Sequence, residues 1–188
     1  QCFAEMQQTV VLGQQLDLAA RGAPPERVYE LKTSSYSVWG PLELGALLGG
    51  AKPALLQPLE RWALPIGVAF QLRDDLLGTF GDSEVTGKPV GNDLLQGKRT
   101  ALSVLARSTL RGAAAQALQA VLGKGKAPTA AVRRAQRALR DAGLEQRMEA
   151  RIEALASEAR QHLNAPALPE ATRRVLLDAE ALLLTRTH

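Results

Sequence analysis

Helical periodicity runs through almost the whole chain, and no segment shows the strict alternation typical of a strand. Ala, Leu, Glu, Gln and Arg, which favour helices, are abundant throughout. Clusters containing glycine or proline interrupt the pattern at 22–25, 49–53, 78–81, 123–128 and 164–169. The chain is therefore predicted to be all-α, with about six to eight helices between these breaks.

The chain length and the number of cysteines limit the classes of protein to which this chain can belong. The 188 residues, 46% of them hydrophobic, suffice for one sizeable domain or part of a larger one. No apolar run is long enough to predict a membrane anchor, and the N-terminal residues do not resemble a secretory signal. Cys2 is the single cysteine, which excludes an internal disulfide and favours a cytoplasmic location.

The chain is basic, with a formal net charge of +4, and an excess of arginine follows residue 130. Aromatic residues make up only 4% of the chain, so the stacking platforms of single-strand binders are not expected. The arginine spacing, with Ala and Leu between, is typical of the solvated face of an amphipathic helix. Nucleic-acid binding is therefore not predicted. The arginines concerned are Arg133, Arg134, Arg137, Arg140, Arg147 and Arg151.

Two helical segments near the N-terminus carry polar residues in apolar surroundings. Gln14 and Asp17 are three residues apart and share a helix face, although a surface pair between Asp17 and Arg21 would explain them equally well. Lys32 and Tyr36 are one turn apart, so an ammonium group and a hydroxyl could hold an anion together. The alternative for Lys32 is an ordinary exposed lysine.

A third segment contains Gln71, Asp74 and Asp75 within an apolar run, and a helix would place them on neighbouring positions of one face. Two carboxylates beside buried surface need compensation, and oxygen ligands without nearby Cys or His suit Mg²⁺. An exposed acidic patch, or neutralisation by arginine, remains the alternative. Gly78 and Gly81 are predicted to end this helix.

The fourth segment is a loop rich in glycine, 81–92, followed by a predicted helix with Asp93 as its N-cap. Lys88 and Lys98 lie in and beyond the loop. Glycines let backbone approach a phosphate group, and the following helix would offer free N–H groups. The segment therefore predicts a phosphate site with a mobile lid.

Together these segments resemble one enzyme family. The chain is similar to the C-terminal part of a trans-isoprenyl diphosphate synthase, or polyprenyl synthetase. The resemblance covers residues 13–100, and 101–188 would form a helical tail of the same single domain, 1–188. The matching motifs are Gly13-Gln14-x-x-Asp17, Lys32-Thr33-x-x-Tyr36, Phe70-Gln71-x-x-Asp74-Asp75, Thr86-Gly87-Lys88-Pro89, Gly91-Asn92-Asp93-Leu94 and Gly97-Lys98.

The resemblance implies antiparallel helices around a central cavity, a homodimer, and the Mg²⁺-dependent 1'-4 condensation of an allylic diphosphate with isopentenyl diphosphate. It implies metal binding by Asp74 and Asp75 with Asp17 in the same region. Lys32, Thr33 and Gln71 would be catalytic, lining the site of the allylic cation. Substrate-binding residues would be Lys32, Gln71, Lys88, Lys98, Tyr36 and Gln14.

Two departures from the family pattern are visible. Gly78 stands where the second aspartate-rich motif normally has its third aspartate, which predicts weaker metal binding. No first aspartate-rich motif followed by paired arginines occurs in the 188 residues, so this chain alone is expected to be inactive. It would then be a fragment, one of two separately supplied halves, or a non-catalytic helical partner of an active synthase. Product chain length stays open.

Overall fold

A computed structural model describes residues 1–19, 22–81 and 90–185, and the regular structure in these ranges is entirely helical. The all-α prediction is confirmed, with nine continuous helical stretches in the described ranges rather than about six to eight. The elements are α1 (Cys2–Ala19), α2 (Pro25–Tyr29), a π-helix (Glu30–Trp39), α3 (Gly40–Leu48), α4 (Pro53–Phe80), α5 (Asn92–Gln96), α6 (Ala101–Thr109), α7 (Gly112–Gln119), α8 (Thr129–Asp141), α9 (Leu144–His162) and α10 (Glu170–Leu184).

The chain divides into two compact units. The first unit comprises Gln1–Gln71 and Ile152–Thr185, and the second comprises Leu72–Arg151. Helices α4 and α9 each contribute residues to both units. None of the helices in the described part is long and apolar enough to cross a membrane.

In the first unit, α2, the π-helix and α3 follow one another without a break, because the junction residues Glu30 and Gly40 both keep helical backbone angles. Pro25 begins this run at the first helical turn, where its missing N–H costs nothing. Helix α1 packs along the π-helix and also contacts α2 and α3. The most deeply buried side chains of the unit include Leu59, Trp62, Ala63, Ile66, Ala156 and Ala159.

In the second unit, the C-terminal part of α4 is followed by short helices. Gln136 on α8 donates a 2.7 Å hydrogen bond to the carbonyl of Thr79, which ties α8 to the last turn of α4. Thr100 caps α6 by accepting a hydrogen bond from the backbone N–H of Ser103. The core of this unit includes Leu72, Leu94, Leu102, Val121, Val132, Ala135, Leu139 and Leu144.

Two boundary predictions were wrong. Helix α4 ends at Phe80, directly before Gly81 as predicted, but it runs through Gly78, which was also predicted to end it. The N-cap of α5 is Gly91, not Asp93; Gly91 adopts a left-handed backbone with φ +66°, and Asp93 is already the second residue of the helix. The glycine takes the cap because this backbone conformation is strained for other residues.

Candidate functional site

The first two predicted segments meet in the first unit. The ammonium of Lys32, on the π-helix, donates a 2.8 Å hydrogen bond to a carboxylate oxygen of Asp17 on α1. Both side chains are about two-fifths exposed, so the pair lies at the surface and remains accessible to a ligand. The alternative partner for Asp17, Arg21, lies outside the described residues.

The second and third segments also meet in this unit. The hydroxyl of Thr33 donates a 2.9 Å hydrogen bond to the side-chain oxygen of Gln71 on α4. This bond is partly buried, and it fixes the orientation of the Gln71 amide. Four predicted site residues thus belong to one folded unit, although the first and the last of them are 54 positions apart in the sequence. They are Asp17, Lys32, Thr33 and Gln71.

The Lys32-Thr33 dipeptide lies where two helices approach the π-helix backbone closely. A Cβ on Gly13 of α1 would come within 2.7 Å of the backbone nitrogen of Lys32. A Cβ on Gly67 of α4 would come within 2.4 Å of the Cα of Ser34. Glycine is required at both positions because each contact includes backbone or Cα atoms, which cannot rotate away. The two glycines therefore let α1 approach the π-helix backbone at Lys32 and let α4 approach it at Ser34.

π-Helical turns are rare and often occur at functional sites. Here ten residues adopt this geometry, and the N–H of Gly40 donates to the carbonyl of Ser35, five residues earlier. Ser34 within it is fully buried, and its hydroxyl has no hydrogen-bond partner among the described residues. Sequence reasoning did not single out Ser34, because a serine in a helix gives no signal of burial.

Two further predicted substrate-binding residues lie on the same elements. Tyr36 is 53% exposed, one turn after Lys32, and Gln14 on α1 is half-buried. Neither residue is brought into the Asp17–Lys32 or the Thr33–Gln71 hydrogen bond. Their substrate-binding roles stay predictions.

The aspartates of the third segment lie on α4 in the second unit, and they differ in exposure. Asp74 is exposed, whereas Asp75 is only 3% exposed. Neither aspartate is without an interaction partner. Within residues 1–19, 22–81 and 90–185, no three carboxylate, imidazole or thiol groups come together as a metal site. Asp74 is therefore the more accessible carboxylate of the predicted pair.

The fourth segment is described only in part. Lys88 and the loop 82–89 lie outside the described residues. Lys98 forms a 2.5 Å ion pair with a carboxylate oxygen of Asp93, and the Asp93 side chain is almost fully buried. Asp93 had been predicted only as a helix cap, so its contact with Lys98 was missed. The signal available in the sequence was the spacing of five residues across the end of a short helix.

The cysteine takes no part in these clusters. The thiol of Cys2 donates a hydrogen bond to Glu43, and burial together with this carboxylate raises its pKa from 9.0 to about 11. The thiol is therefore protonated near neutral pH and is a poor nucleophile. A nearby cavity of about 590 Å³ in the first unit is lined by Glu5, Glu30, Glu43 and Glu60, with Arg27, and by none of the predicted site residues.

Comparison with known proteins establishes the family. The model of the family described as "Polyprenyl synthetase" matches residues 1–139. The chain belongs to the polyprenyl synthetase family. The resemblance deduced from the motifs is thereby confirmed, and the match extends beyond residues 13–100 into the helical tail.

Individual relatives agree with this assignment. A geranylgeranyl diphosphate synthase of Mycobacterium tuberculosis (strain H37Rv) is 48% identical over 87 residues, which are 46% of this chain and 25% of that protein. A geranylgeranyl pyrophosphate synthase of Corynebacterium glutamicum, solved with isoprenyl diphosphate and magnesium, superposes with a TM-score of 0.87 at 34% identity. A decaprenyl diphosphate synthase of Rhodobacter capsulatus superposes with a TM-score of 0.81 at 25% identity.

These relatives are longer than the chain. The superpositions include 98% and 100% of this chain but only 54% of the Corynebacterium protein and 59% of the Rhodobacter protein. The chain thus spans little more than half the length of the solved structures it matches. Its similarity supports the all-α fold of this family for the part that is present.

Proposed function

We propose that this chain contributes the second aspartate-rich half of a prenyl transferase active site. The reaction joins an allylic diphosphate to isopentenyl diphosphate through a 1'-4 bond and yields a longer polyprenyl diphosphate. In that reaction the C–O bond of the allylic diphosphate breaks, a new C–C bond forms to isopentenyl diphosphate, and one proton is lost. We also propose that the protein is a homodimer and that it is located in the cytoplasm.

One observation carries the proposal. Four residues that match the family motifs, Asp17, Lys32, Thr33 and Gln71, form two hydrogen-bonded pairs within one folded unit. A lysine ammonium favours an anion, and amide and hydroxyl dipoles favour a neighbouring cation. These are the two charges that separate when an allylic diphosphate ionises. Lys98, the other motif lysine in the described residues, is 46% exposed and belongs to the second unit.

The donor set suits magnesium. Mg²⁺ is usually held by one or two protein carboxylates, with phosphate oxygens and water completing six ligands. The exposed carboxylate of Asp74 meets that requirement without a protein site of three ligands. We propose Asp74 as the direct ligand, and Asp75 as a ligand only if its buried carboxylate turns outward. One carboxylate oxygen of Asp17 is already paired with Lys32, which would leave the other oxygen for a metal. When bound, Mg²⁺ would offset the charge of the leaving diphosphate.

The first test measures the binding of inorganic pyrophosphate to the 188-residue chain with and without Mg²⁺. The readout is the width of the ³¹P signal of pyrophosphate. We expect weak binding that needs Mg²⁺ and falls at least tenfold in Asp74→Asn and in Lys98→Ala. Lys126→Ala is the matched control, because Lys126 is an exposed lysine of the same unit. Equal binding in all variants, or binding without Mg²⁺, would contradict the proposal.

The second test is turnover. We propose that the chain alone forms no product from geranyl and isopentenyl diphosphates, because its sequence contains no first aspartate-rich motif. Product formation by the purified chain would contradict this. The alternative function is a non-catalytic partner of an active synthase, which the half-length similarity favours. That alternative predicts no pyrophosphate binding together with a stable complex with a full-length synthase.

A further inference from the structure

A steric contact in the second unit explains why position 78, which departs from the family motif, is a glycine. A Cβ built on Gly78 would lie 2.2 Å from one carboxylate oxygen of Asp93, 2.5 Å from its Cγ and 3.0 Å from its other oxygen. These are the three nearest atoms, and all of them belong to one side chain. No residue with a side chain fits at position 78 while Asp93 keeps this conformation.

The position of Asp93 is fixed by the short helix that carries it. Helix α5 begins after Gly91 and ends before Gly97, and both glycines have left-handed backbones with φ +66°. The N–H of Lys98 donates to the carbonyl of Asp93 across this C-terminal turn, in the manner of a Schellman motif. Since the Asp93 side chain is only 6% exposed, its carboxylate has little freedom to move aside.

The same carboxylate holds Lys98. One oxygen of Asp93 lies 2.5 Å from the ammonium of Lys98, while the other lies in the space above Gly78. An ion pair with one nearly buried member restricts the exposed member, because the buried charge needs its partner. The Asp93 carboxylate therefore determines the position of the Lys98 ammonium.

We infer that Gly78 and Asp93 are a coupled pair, in which Gly78 leaves room for the Asp93 carboxylate and Asp93 acts as the positioning residue of Lys98. The third acidic group of the motif region is then supplied from α5 rather than from α4. Gly78 is one turn after Asp74 on α4, so an acidic group remains above this part of the helix. The inference rests on the proposed function only in giving Lys98 a ligand to bind.

Thermal unfolding of a small set of variants tests the steric part. A helical Gly→Ala change normally stabilises when the new methyl meets no obstacle. Gly45→Ala is the matched control, since nothing lies within 4 Å of a Cβ at this helical position. We expect Gly45→Ala to raise the Tm and Gly78→Ala to lower it. In an Asp93→Ala background, Gly78→Ala is expected to raise the Tm, because the obstructing atoms are gone.

Chemical labelling tests the positioning part without any diphosphate. Wild-type Lys98 should be acetylated by acetic anhydride at least several-fold more slowly than Lys126, an exposed lysine of the same unit. Asp93→Asn keeps the bulk above Gly78 but removes the charge, so Lys98 labelling should rise to the rate of Lys126. In this background Gly78→Ala should still lower the Tm.

These readouts separate the inference from the proposed function, because neither requires substrate. The inference is overturned if Gly78→Ala raises the Tm as Gly45→Ala does, or lowers it equally with and without the Asp93 side chain. It is also overturned if Lys98 and Lys126 are acetylated at the same rate in the wild type. If the Tm and acetylation results are as expected but the chain does not bind pyrophosphate, the proposed function is contradicted and the inference is not.

Discussion

At the residue scale, the candidate site consists of pairs whose members are far apart in sequence. Asp17 reaches Lys32 across 15 residues, and Thr33 reaches Gln71 across 38. Neither contact could be deduced from sequence spacing alone, since helical periodicity relates only neighbours within a turn or two. The motif resemblance selected these residues as candidates, whereas their hydrogen-bond partners became visible only in the fold.

Replacing Thr33 by valine tests the Thr33–Gln71 contact. Thr33→Val keeps the shape but removes the donor, which leaves the partly buried Gln71 oxygen without this bond. We expect the free energy of unfolding in urea to fall by about 1 kcal/mol. Thr33→Ser, which keeps the hydroxyl, should lose less. An unchanged stability in Thr33→Val would mean that the hydrogen bond is absent in solution.

At the element scale, glycines without a turn function determine how closely helices approach. Gly67 lies in the middle of α4, a position where glycine normally costs stability. Its value lies in the contact with Ser34, which no side chain at 67 would allow. Most helices were predictable from periodicity and breakers, but the boundaries predicted at Gly78 and Asp93 were wrong. Gly78 lies where a Cβ would meet the Asp93 carboxylate, and Asp93 lies inside α5 because Gly91 takes the left-handed cap position.

Substituting Gly67 by alanine measures this packing. The new Cβ would meet the Cα of Ser34 at 2.4 Å, so the helices must separate or the backbone must shift. We expect a loss of about 1–3 kcal/mol in the free energy of unfolding by urea. The open helical position in Gly45→Ala should gain about 0.4–1 kcal/mol instead. Equal effects of the two substitutions would argue against close packing at Gly67.

At the scale of the whole molecule, the predicted all-α class and the predicted family are confirmed. Part of the basic charge of the chain lies on the exposed face of one helix. Arg133, Arg134 and Arg137 are exposed on α8, while the neighbouring Val132 and Ala135 are buried. This is the solvated face that the sequence pattern predicted. What the sequence pattern could not show is that Asp75 and Asp93, unlike these arginines, are buried.

Neutralising the α8 arginines tests whether the net charge serves a nucleic-acid partner. We expect Arg133→Gln, Arg134→Gln and Arg137→Gln together to change the free energy of unfolding by no more than about 0.5 kcal/mol. Fluorescence anisotropy with a labelled duplex at about 0.15 M salt should give equally weak signals for this variant and the wild type. Tight wild-type binding that the triple variant loses would favour a nucleic-acid function.

The π-helix at Glu30–Trp39 also affects how this molecule tolerates changes in length. An α-helix advances by about 100° per residue, so removing one residue normally rotates everything beyond it by that amount. The wider turns of residues 30–39 hold more residues than an α-helix of the same number of turns. A one-residue deletion there could be absorbed by tightening to α-geometry, which would keep α2 and α3 helical while turning Lys32 away from Asp17. Shortening this segment would therefore redirect the side chains that it carries, Lys32 among them, while α2 and α3 stay helical.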